Sequence, residues 1–127
     1  MNRERALKVV LVLVGLLFSA GIYALTMSLW KMNESDYGDD MMLSLYFALG
    51  IFPLIAVRNP SANRSLIAFA AWSSFAHGAV MAVLAVHIAS ERVSLLTAVA
   101  VLVIIGVVLI ALAPAKQSGE RASAAGA

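Results

Sequence analysis

TAVAVLVIIGVVLIALA, residues Thr97 to Ala113, has no polar side chain after its opening threonine. Its valines and isoleucines favour extended backbone, and in water a short run of this kind would be a buried strand. Length decides against that. With the residues before it, the apolar segment runs from Val93 to Ala113, close to the roughly 20 residues that cross the hydrocarbon core of a bilayer. Inside a bilayer every backbone N–H and C=O must find its partner within the segment, so the segment is a helix.

Working outward, three more apolar stretches appear, at about 6–30, 41–57 and 65–88, and the second is only just long enough to span. Together the four predict an all-α fold, an integral membrane four-helix bundle occupying residues 1–113 as one domain. The remainder, residues 114–127, opens with Pro114 and continues as AKQSGERASAAGA, too small and polar to pack; it is expected to be a disordered cytoplasmic tail. Composition agrees. The chain is 62% hydrophobic and 13% charged, with a mean hydropathy of +0.93, well outside the range of soluble domains. A formal charge of +2 gives no reason to expect nucleic acid. The absence of cysteine removes disulfides, thiolate metal sites and cysteine nucleophiles.

Polar breaks punctuate the spans. KMNESDYGDD (31–40) ends in Asp39 and Asp40, well placed to cap the second helix. RNPSANR (58–64) contains an Asn-Pro pair that stops the second helix, and Asn63 or Ser65 can start the third. Pro53 predicts a kink within the second. Seven of the nine basic residues (Arg3, Arg5, Lys8, Arg58, Arg64, Lys116, Arg121) fall on one side of the resulting topology, and five of the seven acids fall on the other. The positive-inside rule therefore places both termini in the cytoplasm. The first span is too long for a cleaved signal peptide and lacks a clean small-x-small site after it.

Within the third span, AWSSFAHGAVM (71–81) sets two serines and a histidine near mid-depth. Ser73, Ser74 and His77 share one helical face, expected to look into the bundle, because an unpaired imidazole facing lipid is costly. The opposite face, with Ala68, Ala71, Ala79 and Ala82, is expected to pack closely on a neighbour. On the first span, Gly15, Ser19, Tyr23 and Thr26 form a stripe that places Ser19 at the depth of His77. The second span brings Tyr46. The candidate intramembrane polar cluster is thus His77, Ser73, Ser19, Tyr23 and Tyr46, with His77 neutral and hydrogen-bonded, since no acid lies in the spans to act as counter-ion. The third span is expected to be central and the nearly featureless fourth one peripheral.

Each of these features also has a plain structural reading. A lone intramembrane histidine beside hydroxyls is most often a satisfied interhelical hydrogen bond, and that reading is preferred to proton handling. His77 and His87 lie roughly 15 Å apart along one helix, too far to clamp one haem iron. Met27, Met32, Met41, Met42 and His87 offer soft donors for Cu(I), but methionine routinely fills apolar gaps. The acidic turn lacks the order of a calcium loop. No nucleotide motif, nucleophile–base pair or metal-ligand spacing is present, so neither an enzyme, a metal nor a cofactor is expected.

RNPSANRSLIAFAAWSSFAHGAVMAV (58–83), with RALKVVLVLVGLLF (5–18) and MMLSLYFALGIF (41–52), resembles a group of small bacterial membrane proteins known as a domain of unknown function. The resemblance covers about residues 3 to 88. It implies a four-helix protein of the bacterial inner membrane and carries no activity. The leading expectation is a non-catalytic structural, accessory or interaction protein, whose partners are the bilayer and a second copy or another membrane protein. The alternative is a small oligomeric transporter or proton- or ion-coupled carrier with a path near His77.

Overall fold

The computed structural model describes residues 2–31, 37–115 and 126. Residues 32–36 of the expected acidic turn, among them the Met32 of the soft-donor group, and most of the expected disordered tail lie outside these residues. The described chain is helical, without a strand among its described residues. Its helices are α1 (Arg3–Ser19), α2 (Gly21–Lys31), α3 (Tyr37–Ala56), α4 (Arg64–His87) and α5 (Arg92–Leu112), with a 3-10 turn at Ala89–Glu91. Because α1 and α2 form one rod, Arg3–Lys31, there are four helical spans long and apolar enough to cross a membrane.

Local chemistry explains the ends. The Asn2 side chain accepts from the Arg5 amide at 2.9 Å and caps α1. Between α1 and α2 the Ala20 carbonyl accepts from the Tyr23 amide at 3.1 Å, so the rod tightens by one short turn without breaking. α3 begins at Tyr37, which puts Asp39 and Asp40 inside its first turn. They complement the helix dipole there and are not the cap residues the sequence suggested. Pro53 is fully buried within α3, and the helix continues past it to Ala56.

In the connection to α4, Asn59 organises the turn: its Oδ1 accepts from the Ala62 amide and its carbonyl accepts from Asn63 Nδ2. Asn63 precedes α4, but its side chain, committed to Asn59, does not cap the helix. Arginines close the C-terminal ends. Arg92 donates to the Ala85 and Val86 carbonyls at 2.9 and 3.4 Å, covering the end of α4. Arg3 donates to the Ala111 and Ala113 carbonyls at 3.3 and 2.7 Å, and Arg64 to the Pro114 carbonyl at 2.8 Å. The N-terminus, the 58–63 turn and the end of α5 therefore meet at one end of the bundle.

Two close helix pairs build the interior. The α1–α3 pair approaches at glycine: a Cβ on Gly50 would lie 2.6 Å from the Ser19 backbone nitrogen and 2.9 Å from the Gly15 carbonyl oxygen. The α4–α5 pair is the more extensive. There Phe75 lies over Gly106, where a Cβ would fall 2.5 Å from the ring, and Gly78 faces Leu102. The pairs join through Leu7, Leu11, Val14 and Phe18 of α1, Ile67 and Ala70 of α4, and Leu102, Ile105 and Leu109 of α5.

Three expectations are corrected. The fourth span is not peripheral, since α5 packs along α4 and also against α1. The small-residue face of α4 is rotated from the expected one: Ala68 and Ala79 are exposed and Ala82 is half-buried, while Ile67, Ala71, Ser74, Gly78 and Ala85 form the buried stripe. The cause is the Gly106 groove on α5, into which Phe75 fits. The stripe on the first span also ends early. No residue of α2 is buried, because beyond Ala20 the rod packs appreciably only on α3.

Candidate functional site

Tyr46 stands about two and a half turns into α3, where its half-buried ring meets rings of α1 and α4. Phe18 of α1 meets it edge to face at 5.0 Å between centroids, and His77 of α4 meets it from the other side at 5.1 Å with the planes at 76°. The result is a three-ring stack, Phe18–Tyr46–His77, joining three spans. Edge-to-face pairs of this kind place a positive ring edge against a negative face.

On one side of the stack a cleft of about 560 Å³ opens between α3 and α4. Its walls are almost wholly apolar, with Phe52, Leu66 and Phe69 toward the 58–63 turn and Tyr46, Ser73 and His77 as its polar members. On the other side lies a smaller cavity of about 300 Å³, reached by Phe18, Gly21, Met81 and Leu102. Tyr46 and His77 line both. They form the wall between the two spaces.

Of the five expected site residues, the structure brings three together. Tyr46, Ser73 and His77 share the cleft. Ser19 belongs to the α1–α3 crossing, where its buried Oγ has no hydrogen-bond partner among the described residues and lies against Gly50. Tyr23 is 74% exposed and stands outside the cluster, on the part of the rod that packs appreciably only on α3.

The expected hydrogen bonding of His77 is also corrected. Ser73 donates to the Ala70 carbonyl at 3.1 Å, and Ser74 to the same carbonyl at 2.8 Å, a local bond within reach of any helical serine. Neither the imidazole of His77 nor the Tyr46 hydroxyl makes a hydrogen bond to another described residue. Both side chains line the cleft. Phe18, Phe52 and Phe69 are the residues that sequence reasoning missed. They carry no polar signal, and Phe18, although the one aromatic residue of α1, reads as an ordinary core side chain until its contact with Tyr46 is seen.

Chemically, the site offers a phenol and an imidazole in an apolar cleft, both able to donate and accept hydrogen bonds. Among the described residues no three His, Asp or Glu side chains gather to hold a metal ion.

An all-α chain of four long apolar helical spans with an aromatic–imidazole wall defines the class of protein. The family can then be given: the profile of a family of unknown function (DUF6632) matches residues 3–125, and the chain belongs to that family. The match includes α5 and most of the tail, well beyond the residues 3 to 88 that carried the resemblance in sequence. No curated protein and no solved structure matches the chain.

Proposed function

We propose that this chain is a multi-pass protein of the plasma membrane, in a bacterium the inner membrane, with both termini in the cytoplasm. Its role is non-catalytic: it is an accessory or interaction protein that associates with its own copies or with another membrane protein. The observation that carries this reading is the exterior. Large apolar side chains are exposed on every span, among them Leu13, Leu45, Phe69 and Ile104. In water that surface would far exceed the few hundred Å² of contiguous apolar patch usual for soluble monomers; in lipid it has no such cost. The polar ends support the orientation: among the described basic residues, Arg3, Arg5, Lys8, Arg58 and Arg64 lie at one end of the bundle and only Lys31 and Arg92 at the other.

One observation favours a second reading, a carrier. Tyr46 and His77 separate two cavities, and a titratable ring between two spaces is the element a proton-coupled path would use. Flux decides between the readings. Reconstituted in proteoliposomes with an imposed pH gradient, the protein is expected to dissipate the gradient no faster than empty vesicles. A pH-dependent flux that His77→Gln abolishes while the fold is retained would establish the carrier instead.

A further inference from the structure

The cleft between α3 and α4 has a direction. Along α3 its lining runs from Met42 to Phe52, and along α4 from Leu66 to Val80, so it is roughly 15–20 Å long at 1.5 Å per residue. Tyr46 and His77 stand toward one end, and Phe52, Phe69 and Leu66 line the other. No Lys, Arg, Asp or Glu is among its lining residues. Its volume of about 560 Å³ lies within the 300–1,000 Å³ typical of small-molecule sites. Of its three polar side chains Ser73 bonds to its own helix, whereas Tyr46 and His77 make no hydrogen bond among the described residues, and in apolar surroundings a polar group left without a partner is costly. Water could satisfy them locally, but a bound water needs two to four polar partners, and most of the cleft has none to give.

We propose that this cleft binds an uncharged lipophilic molecule bearing a hydrogen-bonding oxygen, with the oxygen at Tyr46 and His77 and the apolar body along Phe69 and Phe52 toward Leu66. A charged headgroup finds no counter-ion here, and a pure hydrocarbon leaves both polar groups unpaired. The inference rests on the membrane reading above, because the ligand would enter from lipid. Two sources share this chemistry: a ring carbonyl of the quinone type, suited to the aromatic walls, and a chain alcohol or neutral glyceride.

The test uses the full chain in phosphatidylcholine nanodiscs and follows its thermal unfolding midpoint with decylubiquinone, 1-dodecanol or n-dodecane at equal mole fraction in the lipid. A ligand of the native state raises the midpoint saturably. The expected result is a saturable rise with at least one oxygen-bearing probe and none with dodecane. A rise with decylubiquinone alone assigns a ring ligand, and a rise with dodecanol alone a chain ligand. The double substitution Tyr46→Phe, His77→Leu is expected to abolish the rise. So is Ala76→Phe, which fills the cleft from an exposed position and decides the matter if the double variant does not fold. Equal shifts with dodecane, no shift with either oxygen-bearing probe, or a shift that survives Ala76→Phe would overturn the proposal. Co-elution with the disc separates the two layers. A chain that stays outside the disc removes the membrane reading and this proposal together, whereas an embedded chain that shows no shift removes only the ligand.

Discussion

Gly50 and Gly78 are both buried glycines within helices, yet the neighbours they meet differ. An alanine Cβ at position 50 would fall 2.6 Å from a backbone nitrogen that cannot move without displacing α1, whereas at position 78 it would sit 3.7 Å from Leu102, an ordinary contact. Gly50→Ala is therefore expected to destabilise by on the order of 1–3 kcal/mol through overpacking. Gly78→Ala should leave stability unchanged or raise it by up to about 1 kcal/mol through helix propensity. Thermal unfolding of the two variants in detergent checks the pair, and equal losses from both would contradict the packing described. At His77 the expectation is milder than the sequence implied. With no hydrogen bond to lose, His77→Leu forfeits mainly its ring contact with Tyr46, about 0.5–1.5 kcal/mol, and a loss above about 3 kcal/mol would mean the imidazole has a polar partner in the folded protein. That His77 belongs to an interior feature was legible, because a histidine amid apolar residues has few other tolerable places. Its partner was harder to foresee. Ser73, Ser19, Tyr23 and Tyr46 all had suitable chemistry, and only the three-dimensional course of the spans selects Tyr46.

At the scale of elements, the four spans were readable to within a few residues because length and hydropathy alone define them. Their neighbours were not. α5 was expected at the periphery because it lacks polar residues, but close packing between apolar helices depends on small residues and shape, and Gly106 was the one local sign. Gly106→Leu is accordingly expected to cost on the order of 1–3 kcal/mol by displacing Phe75. Ala100→Leu, at an exposed position of the same helix, should be tolerated; comparable damage from both would return α5 to the periphery. The departure of α2 from the bundle was likewise hidden, since the spacing of Ser19, Tyr23 and Thr26 suits a continuous stripe whether or not a third helix reaches it. Helix ends supply another test. Arg92→Ala removes the donors that cover the Ala85 and Val86 carbonyls and should cost about 0.5–1.5 kcal/mol. Amide hydrogen exchange should quicken in the last turn of α4 and stay unchanged in α1.

The whole molecule joins an apolar exterior to two polar ends of unequal charge. Arg3 and Arg64 tie the N-terminus and the 58–63 turn to the end of α5, so three segments assigned to one side by their charge are also held together by hydrogen bonds. In the proposed orientation this end faces the cytoplasm across a membrane. Because the chain contains no cysteine, single-cysteine substitutions report position without background. Ser61 and Ser90 are both exposed and lie in connections at opposite ends of the bundle. A membrane-impermeant maleimide added to intact cells whose outer membrane, if any, has been opened should label Ser90→Cys at once and Ser61→Cys only after the inner membrane is permeabilised. Labelling of Ser61→Cys without permeabilisation, or equal labelling of both, would contradict the account.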